Sequence, residues 1–365
     1  MRDLAHHVAE KLKPAGGKAY GESLSGVPEP LAELNLMGMT VPEEFGGGGR
    51  DPVSFVLSLM EVSRISASFA ALAAANHSFY CFPLRTYGNT EQKTRYLQPC
   101  GSGKKIGSYA LLEDDFGLDP VQITTRAMKE QRGWSIQGVK RFVPYGAASS
   151  FCIVSALESD GYANQGWSSF IVDLREGRGS RVGRSENSLN ILALSSAEII
   201  FESAPVNEDS LLGSPGQGAD HRSRIQRESW LSIAALAVGI GRGAFEKTVE
   251  IVTKKEGSKS DPIDQVVQWK LADMAVSLDA AELLTLRAAW LKDQGKPHER
   301  EVAMARIFAS NAAMAASTEC IQILGEFGRE PSLEDHLRRA KMCQVSMGTN
   351  ERAGALVARN LTKGK

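Results

Sequence analysis

The sequence predicts an α+β fold in which a β-rich segment lies between two helical ones. Two observations carry this reading. Apolar residues recur at helical spacing up to about residue 103 and again beyond about residue 212, while in between they alternate in short runs bounded by Gly, Asp and Asn. The period therefore switches twice, dividing the chain into a helical domain over 1–103, a β domain over 104–212 and a helical bundle over 213–365. With 365 residues, 42% of them apolar, the chain is long enough to bury a large core in two or three domains.

Charge and cysteine usage narrow the function classes. A formal net charge of −1 gives no reason to expect nucleic acid or an anionic membrane as partner. No apolar run approaches the ~20 residues of a membrane span. The opening Met1-Arg-Asp-Leu-Ala-His-His7 lacks the apolar core of a signal peptide, so a cytoplasmic location is expected. The five cysteines are scattered and have no Cys-x-x-Cys spacing, which predicts reduced core thiols and neither a disulfide framework nor a metal site.

In the first segment, Leu31 to Gly38 reads as an amphipathic helix stopped by glycine, followed by the extended Thr40-Val-Pro42 and the glycines Gly46 to Gly49. That run lacks the Lys-Ser/Thr of a phosphate-binding loop and is read as structural. Pro52 to Tyr80 is predicted as one long helix of small residues, with His77 near its end as a capping or core residue. Thr90 and Glu91 start the next helix, and Tyr96-Leu-Gln-Pro99 is expected to stop it. Strands are predicted around Ile106–Leu111, Gly133–Gly138, Ser150–Ala156, Ser169–Asp173 and Ala197–Glu202. Beyond Gly216-Gln-Gly218 the pattern is helical again, with Gly239, Gly241 and Gly243 permitting close helix contact. The Ala/Leu face of Ala275 to Lys292 is read as core. Toward the end, Gly348 makes a turn before a helix opened by Thr349, which brings backbone N–H groups to a helix N-terminus.

Several of these segments match known motifs in order and spacing. Val41 to Gly49 parallels Val-Pro-Glu-Glu-Tyr-Gly-Gly-x-Gly, and Tyr109-Ala-Leu-Leu112-Glu113 through Gly117-Leu118-Asp119 parallels Thr-Glu-Pro-x-x-Gly-Ser-Asp. Lys140-Arg-Phe142-Val143-Pro144-Tyr-Gly146 parallels Lys-x-Trp-Ile-Thr-Asn-Gly, and Gln322 to Gly328 parallels Gln-Ile-x-Gly-Gly-x-Gly, with Glu326 for the second Gly of the pair. Ser346-Met347-Gly348-Thr349 stands where Tyr-Glu-Gly-Thr is usual. The chain resembles the acyl-CoA dehydrogenase family over nearly its whole length. That resemblance implies a helical N-terminal domain, a central β-barrel-like domain and a C-terminal bundle that assembles subunits.

The resemblance also implies a site. FAD contacts carry over to Tyr109, Leu112, Glu113, Phe142, Val143, Pro144, Lys254, Gln265, Gln322, Gly325, Thr349 and Glu351, and substrate contacts to Leu118, Arg227 and Trp230. In the family a carboxylate takes a proton from the carbon beside the thioester carbonyl while hydride passes to flavin N5. The base's own backbone N–H binds the thioester oxygen. Here the base position is Met347. Some members carry the base one residue before the substrate arginine, which is Ser229 here, with Glu228 beside it as a weak substitute. One residue turns a helix by about 100°, enough to aim Glu228 elsewhere.

The departures gather at chemical positions. Leu112 and Pro144 lose hydroxyl or N–H donors toward the flavin, Lys254 replaces an arginine fork, Gly257 an aromatic clamp, and Trp230 the substrate arginine. FAD binding by the chain alone is therefore expected to be weak or absent. Three readings follow, in order of preference. The first is an acyl-CoA dehydrogenase-type subunit for α,β-dehydrogenation of an acyl-CoA or acyl-carrier-protein thioester, as a homo-oligomer or in a heterotetramer with a base-bearing homologue, whose partner chain supplies the base and completes the FAD site. The second is different acyl-thioester chemistry on the same scaffold, and the third a non-catalytic structural homologue.

Overall fold

The computed structural model describes residues 29–114, 123–159, 166–176, 178–186, 196–256, 264–325 and 331–362. Leu118, Gly117, Asp119, Gly257, Glu326 and Gly328 lie outside them. Among the described residues no helix is long and apolar enough to cross a membrane, and no group of three or more His, Cys, Asp or Glu is placed to hold a metal. In chain order the helices are α1 (Glu29–Glu33), α2 (Pro52–Ile65), α3 (Ala67–Ala75), α4 (Phe82–Tyr87), α5 (Thr90–Gln92), α6 (Gln98–Gly101), α7 (Gly218–Glu256), α8 (Gln265–Asp293), α9 (Glu299–Leu324), α10 (Pro331–Val345) and α11 (Asn350–Thr362). The strands are β1 (Gly107–Ala110), β2 (Arg126–Glu130), β3 (Gly133–Val143), β4 (Phe151–Ser159), β5 (Trp167–Asp173), β6 (Ser180–Glu186), β7 (Ser196–Val206) and β8 (Leu211–Leu212). This is the helix–sheet–helix order that the period switches predict.

The described residues form two compact units, and the first takes 29–50 and those within 72–228. Its sheet runs β6-β7-β3-β2-β4-β5-β8, with β1 pairing with β4 off that path. Most pairs are antiparallel, while β4 runs parallel to β1 and β2. Inward residues Ala127, Trp134, Ile136, Val154, Phe170, Ile199 and Phe201 build its core. Helical residues pack directly on this sheet. A Cβ at Gly107 would lie 2.1 Å from the Tyr80 ring, so only glycine lets β1 approach that closely. Asn76 accepts from Gly107 N at 3.0 Å, and Gln92 donates to the carbonyls of Asp209 and Leu211, each at 2.8 Å.

Two helical expectations are corrected here. Pro52 to Tyr80 is not one helix: Asp51 caps α2 through Ser54 N, the helix ends at the extended Ser66, and α3 begins beyond it. The Ser66 carbonyl accepts from Ala70 N, so serine acts as a cap within the run. Asn76–Cys81 then forms a π-type turn that holds His77. Likewise Pro99 does not stop its helix. The π-type segment Lys93–Leu97 precedes α6, and Pro99 falls in its first turn, where a missing N–H costs nothing.

The second unit comprises the described residues within 51–71 and 229–365. Its helices pack closely where α7 carries glycine: a Cβ at Gly239 would meet Ser63 Oγ at 1.9 Å and Met60 O at 2.2 Å. Replacing Gly239 with leucine is expected to lower the thermal midpoint by several degrees, about 1–3 kcal/mol of overpacking, measured by differential scanning calorimetry. Asp264 caps α8 by accepting from Val266 N at 2.8 Å. The Ala/Leu face of α8 is core as read, with Leu278, Ala281, Ala288 and Ala289 buried. A second stripe, Trp269, Val276, Leu283 and Trp290, faces outward at every seventh position.

Candidate active site

In the sheet-bearing unit, the predicted cofactor residues cluster where the end of β1 meets β3. Tyr109 is buried, its hydroxyl 3.1 Å from Ser155 Oγ. The Leu112 carbonyl accepts from Arg141 N at 2.8 Å. Glu113 lies inward. Lys140 Nζ approaches it at 2.6 Å, and Thr124 N and Thr125 N donate to it at 2.7 and 3.1 Å. Burial alone would raise the Glu113 pKa, but the ammonium and these hydrogen bonds outweigh it and hold the carboxyl at about 2. Burial pulls Lys140 down to about 8 against the upward pull of Glu113, so it stays largely charged at neutral pH. The pair ties the segment that follows β1 to β3.

Beside it, Phe142 adopts a left-handed backbone (φ 50) that leaves its ring 42% exposed, with Arg141 stacked at 5.6 Å. Val143 is fully buried, its carbonyl accepting from Gly146 N. Pro144 has no N–H to offer. In the same unit Glu228 and His77 meet at 2.8 Å, both buried, and Thr40 Oγ1 lies 3.2 Å from the other ring nitrogen. Glu228 is thus engaged with an imidazole from the π-type turn. Arg227, half-buried, donates to Ser223 Oγ at 3.0 Å.

In the other unit, the turn between α10 and α11 brings Met347, Thr349 and Glu351 together. Met347 is itself left-handed (φ 54), and Gly348 follows at φ 97. Trp230, 1% exposed, donates from Nε1 to the Met347 carbonyl at 3.0 Å. Arg306 is fully buried and donates to the carbonyls of Ser346 (2.8 Å), Thr349 (3.2 Å), Cys343 (3.4 Å) and Gly348. Thr349 precedes α11, its carbonyl accepting from Arg352 N and Ala353 N, as expected of the residue that opens the helix. A hydrogen bond from Thr349 and its own backbone lower the Glu351 pKa. Lys254 pairs with Glu250 on its own helix, and Gln265, Gln322 and Gly325 are exposed.

Residues 2–104, 108–204 and 224–362 match, in turn, the N-terminal, middle and C-terminal domains of acyl-CoA dehydrogenase. The chain is 36% identical to the mitochondrial short-chain specific acyl-CoA dehydrogenase of Homo sapiens, across 99% of its own length and 88% of that protein's. The chain belongs to the acyl-CoA dehydrogenase family. Its fold is shared with butyryl-CoA dehydrogenase from Megasphaera elsdenii, at TM-score 0.90 and 29% identity over 99% of this chain and 96% of that one. It is shared too with a glutaryl-CoA dehydrogenase from Mycobacterium smegmatis solved in complex with FADH2, at TM-score 0.86 and 26% identity over 99% and 94%.

Within this member of the acyl-CoA dehydrogenase family, one buried residue and one long-range link lie outside what the sequence shows. Arg306 escaped the sequence reading, although a signal existed: its helical neighbours Val302, Ala303, Ala309 and Ser310 form a buried face, and a lone arginine there must find internal acceptors. Lys140, the first residue of the segment that parallels Lys-x-Trp-Ile-Thr-Asn-Gly, is buried against Glu113. His77 is core, as expected, but its link to Glu228 joins positions 151 residues apart and no local pattern announces it.

Proposed function

We propose that this chain is a subunit of a flavin-dependent system that acts on an acyl thioester, on CoA or a carrier protein, in the α,β-dehydrogenation class. A partner subunit of the same family supplies the proton-abstracting carboxylate. Met347 carries this reading: a left-handed turn stands ahead of α11, and the side chain at the base position is a thioether that cannot take a proton. Glu228, the carboxylate beside the alternative base position, is engaged with His77.

FAD is the cofactor of this family, and the residues present suit it in part. The exposed Phe142 ring offers a stacking face for a planar group, and Thr349 with the start of α11 offers polar contacts. Leu112 and Pro144 add no side-chain donor, and Lys254 is a single point charge already paired with Glu250. When bound, the flavin supplies the hydride acceptor. The chain purified alone is expected to retain far less than one FAD per subunit, since two missing hydrogen-bond donors weaken binding about five- to 150-fold and the weakened charge contact at Lys254 adds to this. A yellow protein with near-stoichiometric FAD would overturn that expectation.

The outward stripe of α8 supports an oligomer, because Trp269, Val276, Leu283 and Trp290 repeat at the spacing of a helix–helix seam. The deciding experiment is the visible spectrum of the purified chain during addition of acyl-CoA, with and without a base-bearing homologue. Acyl-CoA-dependent bleaching that needs the homologue supports the reading. Bleaching by the chain with FAD alone defeats it. Met347→Glu alone is expected to give no substantial turnover, because hydride still needs a firmly held flavin. Reduction of an artificial acceptor across several chain lengths is the assay.

A further inference from the structure

The α10–α11 turn is held in an unusual way, and the groups that hold it sit on α7 and α9. A residue with a side chain costs about 1–2 kcal/mol in the left-handed region, so Met347 stays there only if its surroundings over-determine it. Trp230 grips the Met347 carbonyl, while Arg306 grips those of Ser346 and Gly348 on either side. The two are themselves stacked, the guanidinium carbon 5.3 Å from the indole centre.

Peptide planarity gives this grip a direction. In a trans peptide the carbonyl of one residue and the N–H of the next point opposite ways. Holding the carbonyls of Ser346, Met347 and Gly348 therefore sets the N–H vectors of Met347, Gly348 and Thr349, each away from the group that grips its plane. An indole N–H is a donor only, so Trp230 cannot be satisfied by turning the plane over.

We infer that Trp230 is a positioning residue for acyl-thioester binding: with Arg306 it fixes the peptide planes from Ser346 to Thr349, so that main-chain N–H groups of this turn receive the thioester oxygen. An indirect role thus replaces the direct contact that an arginine at position 230 would make. This rests on the proposal above that the chain takes an acyl thioester.

The test is Trp230→Phe, which keeps an aromatic ring beside Arg306 but removes the indole N–H together with part of the buried ring volume. One readout is amide hydrogen exchange over 346–349 in the free protein, expected to quicken about three- to tenfold, the worth of one net hydrogen bond. The other is the infrared band of butyryl-CoA labelled with carbon-13 at the thioester carbonyl, bound in the presence of FAD. In the wild type it shifts from its solution position, and in the variant it returns toward it, with affinity falling by a similar factor. Faster exchange with an unmoved band reduces Trp230 to a structural role and overturns the inference, as does no change in either. A wild-type protein that leaves the band at its solution position defeats the proposed function instead, while the exchange arm still judges the grip. Should Trp230→Phe fail to fold, Arg306→Lys, which keeps the charge but cannot span several carbonyls, is read in the same two ways.

Discussion

Replacing Lys140 with methionine is expected to destabilise the sheet-bearing unit by about 3–5 kcal/mol, because it leaves the Glu113 carboxylate buried without its counter-charge. Methionine matches the length of the lysine stem, so little of the loss is a cavity. The pH dependence identifies the cause. In the wild type the folded-state pKa of Glu113 is depressed to about 2 from 4.5. Its contribution is therefore complete above about pH 4.5 and is lost as pH falls from there toward 2. In the variant the carboxyl is buried and unpaired, its folded pKa rises, and protonation relieves the penalty. The gap between the two proteins should be widest near neutrality and narrow on acidification. Urea unfolding at pH 7 and pH 4 measures it, and a deficit that stays constant with pH would show that packing, not charge, is what Lys140 supplies.

Supplying a carboxylate from outside should have the larger effect on chemistry. Combining the chain with FAD and a base-bearing homologue is expected to raise acyl-CoA-dependent acceptor reduction about 10²- to 10⁴-fold over the chain alone, the range a positioned general base contributes. The homologue's base should be changed to glutamine in a control, which must abolish the gain if this chain contributes none of its own. A companion control is Glu228→Gln in this chain. If that substitution removes most of the combined activity, proton abstraction has been assigned to the wrong subunit.

How much of this was legible in the sequence depends on the range of the interaction that decides each feature. The helix–sheet–helix order was readable because alternation and helical spacing are local. So was the opening of the last helix at Gly348-Thr349. The broken helix at Ser66 was missed because a serine amid small apolar residues looks helical until its carbonyl begins the next turn. The strands β2 and β6 were missed because Arg126–Glu130 and Ser180–Glu186 are largely polar, and pairing with β3 and β7 rather than their own pattern makes them strands. At the site, motif spacing located Met347 and Trp230 but did not show that one holds the other. Arg306 and the link between His77 and Glu228 rest on partners far away in the chain, which periodicity does not register.

The buried thiols have one further consequence. Cys81, Cys100 and Cys152 lie in the sheet-bearing unit, Cys320 and Cys343 in the helical one, and all are at most 2% exposed. Burial also raises the pKa of each, so hardly any thiolate meets solvent while the fold is closed. Alkylation must then wait for an opening event, and its rate at each position counts how often that region opens. Mass spectrometry after timed labelling would yield separate opening equilibria for the two units of the unmodified protein, with no introduced probe. The chain carries its own clock for the order in which its parts come undone.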